Sequence, residues 1–110
     1  MSIELGGLNF GGPFPVSEWE SPRESAVYAI MMRDPAGDPN RFRILYFGES
    51  ENLSERGFWR SHQKFGCWIN KAGSTENLFI GVHPMPNSTQ AERRSVESRL
   101  IAQYGPDCND

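Results

Sequence analysis

The sequence predicts an α+β domain: a small three-stranded sheet, mixed or antiparallel, flanked by helices in the order β-β-α-β-α. Three observations carry that prediction. Two apolar runs of strand length, "AVYAIMM" at 26–32 and "RFRILYF" at 41–47, are separated by the turn-rich "RDPAGDPN", which points to an antiparallel hairpin. Two capping-box spacings, Asn52 with Glu55 and Thr89 with Glu92, each open a stretch of helical length. Between them "NLFIGVHPM" at 77–85 reads as a third strand, stopped by Pro84 and Pro86, which cannot donate to a sheet ladder. Strands interleaved with helices imply a sheet covered by helices.

Taken in chain order, residues 1–25 hold Gly6, Gly7, Gly11, Gly12, Pro13, Pro15 and Pro22, so they read as an irregular N-terminal arm. Phe10, Phe14, Val16 and Trp19 are its means of attachment. The domain proper covers 26–110. After the hairpin, a helix opens at Asn52 and runs to about Lys64, with Gly66 interrupting it ahead of Cys67, Trp68 and Ile69. The last helix opens at Thr89 and ends at Tyr104, where Gly105 and Pro106 form a stop signal.

A chain of 110 residues fits one compact domain that buries about two-thirds of its unfolded surface. Three Trp, seven Phe and three Tyr supply bulky core material, which argues for globular order. The net charge of −3 and pI near 5.4 argue against a free-standing, high-affinity nucleic-acid binder, since such affinity comes mainly from cations that neutralise phosphates. A local basic face is compatible with that balance: Arg56, Arg60 and Lys64 recur every four residues and would align on a continuous helix. Cys67 and Cys108 are the two cysteines. With no signal-peptide pattern and no apolar run of membrane-spanning length in view, they read as reduced thiols of a cytoplasmic protein.

Several residues then align with a known pattern: "AVY" at 26–28, "YFG" at 46–48, Arg56 ten residues after Tyr46 within "YFGESENLSER", His62 beyond it, and "VESRLIAQYGPDCN" at 96–109. In this order and spacing the chain resembles the GIY-YIG nuclease family, over about 26–109. The resemblance implies a metal-dependent endonuclease that hydrolyses phosphodiester bonds in DNA. It assigns Tyr28 to the attacking water as base or proton relay, with Tyr46 beside it, and Glu97 to one Mg²⁺ or Mn²⁺. Arg56 becomes the clamp on the phosphoryl oxygens, and His62 a phosphate contact or proton carrier. Arg60, Lys64 and Asn109 are implied on the nucleic-acid side. The chemistry suits the residue types: a planar guanidinium holds two phosphoryl oxygens, and a hard cation takes few carboxylates and keeps its waters. A phenol ionises near pH 10, so a basic role for Tyr28 needs help from positive charge.

Each residue also has a plainer reading. Tyr28 and Tyr46 suit strand cores, Arg56, Arg60 and Lys64 suit a solvated helix face, and Glu97 has Arg93 and Arg94 at ion-pair spacing. His62 follows Arg56 by six residues, whereas many family members place a histidine four after the arginine, where Arg60 stands. Asn109 sits almost at the terminus. A zinc site from His62, Cys67, His83 and Cys108 lacks paired ligand spacing, and His83 beside Pro84 reads as structural. Two departures from the pattern matter: Ala26 replaces the first glycine, and Glu49 follows the second motif where some members carry lysine, so a carboxylate there opposes a tyrosinate and a phosphate alike.

Without a recognition domain, the implied nuclease requires a partner protein, a homodimer, or a branched or damaged substrate. The alternative is a binding module for protein or nucleic acid that keeps these residues as architecture. An RNA-directed nuclease is a third reading, unsupported by any aromatic RNA-reading signature.

Overall fold

The computed structural model describes residues 2–19, 23–34, 41–53 and 59–109. Among these, strands β1 (Ser2–Leu5), β2 (Leu8–Pro15), β3 (Ala26–Arg33), β4 (Phe42–Ser50) and β5 (Phe79–Pro84) form one sheet in the order β1-β2-β5-β3-β4. Helix α1 (Phe65–Ala72) lies between β4 and β5, and α2 (Gln90–Tyr104) follows β5. Every strand pairing is antiparallel. The three-stranded sheet expected from the sequence is therefore corrected to five strands. The stretch read as an irregular arm supplies the two additional ones.

The physical reason lies in the glycines. Gly6 and Gly7 both take positive φ, 60° and 82°, and make a tight turn between β1 and β2 that few other residues would tolerate. Further along β2, the ladder to β5 shifts register between Gly11 and Phe14. Gly12 (φ 109°) and Pro13 fall inside that irregularity, a bulge that lets a Gly-Pro sequence belong to a strand. Phe10 is fully buried and anchors the hairpin in the core.

Strand β3 lies between β5 and β4 and is buried on both faces, which explains its unbroken apolar run. Alternate residues serve two cores. Ala26, Tyr28, Ile30 and Met32 pack with Trp68 of α1, while Val27, Ala29 and Met31 pack with Phe10, Phe47 and Leu100 of α2.

The first helix also differs from expectation. Residues 59–64 are turns, α1 begins only at Phe65, and Glu55 of the expected capping box lies outside the described residues. Gly66, expected as an interruption, sits in the first turn of α1, where its conformational cost is small. That helix ends at Gly73 in the left-handed region (φ 86°), whose N–H donates to Ile69 O at 2.7 Å. Helix α2 matches its predicted bounds: Thr89 Oγ1 accepts from Glu92 N at 3.1 Å, Glu92 Oε1 accepts from Thr89 N at 2.8 Å, and Gly105 caps the end.

The segment after α2 runs along the outer edge of β4. Cys108 N donates to Leu45 O at 2.8 Å, and Arg43 pairs with Asp107 at 2.7 Å. Cys108 also forms a disulfide with Cys67 of α1, with Cα atoms 6.0 Å apart. This overturns the reading of two reduced thiols: a sequence separation of 41 carries no spacing signal, yet the fold brings the pair together. Capping the edge strand in this way removes a surface on which other chains would pair.

Candidate active site

The site is built on a bulge in β4. Ile30 opposes Tyr46 and Met31 opposes Ile44, so Leu45 is an extra residue on β4. The slip turns Tyr46 onto the sheet face that carries Tyr28, against a strict alternation through "RFRILYF". The two rings then lie 6.2 Å apart. Tyr28 opposes Gly48 across the ladder, and its ring lies over that glycine. A Cβ at Gly48 would fall 2.8 Å from Tyr28 Cε1 and closer still to Cζ and the hydroxyl. The glycine of "YFG" is thus the space that Tyr28 occupies.

His62 joins from the turns before α1. Its ring lies 5.1 Å from that of Tyr46, edge-on, and 4.7 Å from that of Trp68. Its Nδ1 accepts from Lys64 N at 3.0 Å, which leaves the proton of the neutral ring on Nε2. Burial, assisted by the Lys64 charge, lowers the His62 pKa below its ordinary value. At neutral pH the imidazole is therefore an uncharged Nε2–H donor.

Glu97 approaches from α2. Half-buried, its carboxyl is raised in pKa mainly by burial and then by the charge of Glu49, with Arg94 opposing. The phenol of Tyr28 is pushed far above its usual range by burial, then by Tyr46, Glu97 and Glu49. Tyr46 is raised by burial and the same two carboxylates. The charge of Glu97 thus opposes ionisation of both phenols.

Glu49 has a role that the sequence concealed. Its Oε2 lies 2.8 Å from Nε of Arg93, a side chain only 3% exposed. Nη1 of Arg93 donates to Ser88 O at 2.7 Å and to Ser88 Oγ at 3.0 Å. The arginine considered as an intrahelical partner for Glu97 is thereby committed to β4, and the pair fastens the start of α2 to the sheet. Arg94 lies 4.0 Å from Glu49. With Arg93 against it, Glu49 opposes a bound phosphate less than an isolated carboxylate would.

The remaining candidates are placed as follows. Arg56 lies outside the described residues. Arg60 is exposed, with its guanidinium 4.7 Å above the Trp59 ring. Lys64 is partly buried at the position preceding α1, so Arg60 and Lys64 do not share a helical face. Asn109 is committed to the backbone of Phe47: Oδ1 accepts from N at 2.7 Å, and Nδ2 donates to O at 2.8 Å. Its carboxamide thus extends the ladder beside Tyr46. His83 Nδ1 lies 2.9 Å from Asn9 O, within the sheet. Trp68, fully buried, is the residue sequence reasoning missed: its ring backs both His62 and Tyr46, and no spacing rule marks it.

Among the described residues no group of three or more His, Cys, Asp and Glu side chains is gathered to hold a metal. Glu97 is the half-buried carboxylate of the site, and a cation beside it would offset the burial and the Glu49 charge that oppose its ionised form. No described helix is long and apolar enough to cross a membrane. Comparisons with protein-family models, with curated proteins and with solved structures give no match.

Proposed function

We propose that this protein is a metal-dependent endonuclease acting on DNA, in the manner of the GIY-YIG nucleases its motifs resemble. The observation that supports this reading best is that Tyr28 and Tyr46, on adjacent strands, and His62, before α1, bring their rings side by side, with the charge of Glu97 on α2 acting on both phenols. Residues kept only for packing have no need to bring an imidazole and a half-buried carboxylate to paired phenols.

In this proposal Glu97 holds Mg²⁺ or Mn²⁺, which when bound supplies positive charge at the phosphoryl group. Relief of the carboxylate's burial is what Glu97 gains from it. Tyr28, kept neutral by its surroundings, donates a hydrogen bond and orients the attacking water rather than removing its proton. His62 presents Nε2–H to a phosphoryl oxygen. Trp68 fixes the planes of His62 and Tyr46. Arg56, ten residues after Tyr46, completes the proposal as the phosphoryl clamp, with Arg60 and Lys64 contacting the nucleic-acid backbone. Asn109 acts through the β4 backbone rather than by touching DNA. A homodimer or partner protein supplies targeting. A cytoplasmic setting belongs to this proposal only with the disulfide reduced, since such bonds persist mainly in oxidising compartments; alkylation of thiols at the moment of lysis tests it.

The second reading is a binding module that retains the site as architecture. One observation favours it: burial, and after it Tyr46, Glu97 and Glu49, all oppose the ionisation of Tyr28. Cleavage of plasmid and of single-stranded and branched DNA, with an RNA oligomer alongside, separates the readings. The nuclease cuts only with metal and favours DNA; the module cuts nothing on any substrate.

A further inference from the structure

Beside the tyrosine site, on the same face of the sheet, lies a cavity of about 520 Å³ lined by Gly11 and Val82 among others. Val82 opposes Tyr28 across the β3–β5 ladder, and the cavity reaches from there to Gly11 and Phe14 of β2, with Glu97 not among its lining residues. Phe14, Trp19 and Pro84 also line it, and its two ionisable lining residues are Glu18 and Glu24. No basic residue lines it among the described residues.

The two β2 residues that line the cavity, Gly11 and Phe14, flank the register shift in that strand. The register shift between Gly11 and Phe14 re-aims Phe14 and leaves it 41% exposed, a large apolar ring held at a rim instead of in a core. Gly11 contributes no side chain to the lining, so the backbone itself is accessible there.

We propose that this cavity binds the arginine side chain of a partner protein. Aromatic faces attract a cation, and the guanidinium is the cation that also stacks as a plane. Two carboxylates can accept its N–H fork, and the apolar lining suits its aliphatic stem. A phosphate-bearing ligand is opposed by the charges of Glu18 and Glu24, and a purely apolar one makes no use of either. Charge and shape thus select a flat organic cation. The binding is independent of metal and of any nuclease activity.

The test is an NMR titration of the ¹⁵N-labelled full chain with acetyl-Gly-Arg-Gly-amide, and with counterparts carrying citrulline or lysine in place of arginine. The arginine peptide is expected to shift the Trp19 indole and the Gly11 and Phe14 amides. Citrulline, neutral and of the same shape, is expected to bind at least about tenfold more weakly, as is arginine to the Glu18→Gln/Glu24→Gln variant. Phe14→Ala, at a partly exposed position, is expected to weaken binding about two- to fivefold while leaving distant amides in place. Equal binding of the citrulline peptide overturns the proposal, as does the lack of any shift up to about 10 mM peptide, a weaker contact than a specific site gives. A lysine peptide that binds as tightly overturns the assignment to arginine. Deoxycytidine moving the same signals at lower concentration than the peptide makes the cavity a nucleobase site instead.

Discussion

Replacing Gly48 by alanine tests whether the glycine of "YFG" exists to admit the ring of Tyr28. In an ordinary strand the change would be neutral or stabilising by up to about 1 kcal/mol, because alanine loses less conformational freedom on folding. Gly48 does not take positive φ, so backbone strain does not enter. Space does: the new Cβ would overlap the Tyr28 ring, with Cε1 at 2.8 Å as the least severe of three contacts. Tyr28 is 4% exposed and packed beside Tyr46, so its ring has little room to withdraw. Overpacking of this kind costs about 1–3 kcal/mol. Urea unfolding of the single variants and of Tyr28→Ala/Gly48→Ala measures the coupling. The double variant should be no less stable than Tyr28→Ala alone, giving a coupling of about 1–3 kcal/mol. A Gly48→Ala penalty that is the same in both backgrounds refutes the reasoning.

Arg93→Ala removes the nearer partner of Glu49, which is 12% exposed, and leaves Arg94 at 4.0 Å, so the loss should approach about 3–5 kcal/mol, that of a buried ion pair broken on one side; Glu49→Gln with Arg93→Met should recover much of that loss in thermal unfolding. Reduction, or Cys67→Ser with Cys108→Ser, opens a loop of 41 residues and should lower stability by about 4 kcal/mol on the chain-entropy account, read by urea unfolding with and without a dithiol. His62 has a lowered folded pKa, so its contribution to stability is complete above the unfolded value near 6.5 and is lost as pH falls through the folded value. Stability measured from pH 7.5 to pH 5 should therefore decline less steeply in His62→Gln than in the parent chain.

The sequence made some elements legible and hid others for specific reasons. Strands β3, β4 and β5 are apolar runs bounded by turn residues or prolines, and α2 carries both a capping box at Thr89 and a glycine stop at Gly105; local chemistry decides these. The β1–β2 hairpin was hidden because the same Gly and Pro residues that mark irregular chain also make tight turns and bulges. "LGGLNF", with two glycines between short runs, was the available hairpin signal. Helix α1 has no side-chain cap, so its start leaves no local mark, and the helix buries Trp68 in the core. Motif order names Tyr28, Tyr46, His62 and Glu97; in the fold the rings of Tyr28, Tyr46 and His62 lie side by side. The Glu49–Arg93 pair, the Leu45 bulge, the backing ring of Trp68 and the Cys67–Cys108 bond depend on residues far apart in sequence, and no local pattern encodes them.

The most direct test of the central proposal is nicking of supercoiled plasmid by the purified chain in Mg²⁺ or Mn²⁺, beside Glu97→Ala shown to be folded by its amide spectrum. The account predicts cutting that requires metal and falls at least about 100-fold in the variant, the scale expected when a positioned charge is removed from a hydrolytic site. Metal-dependent cutting that survives Glu97→Ala, or folded parent protein that cuts no substrate, contradicts it.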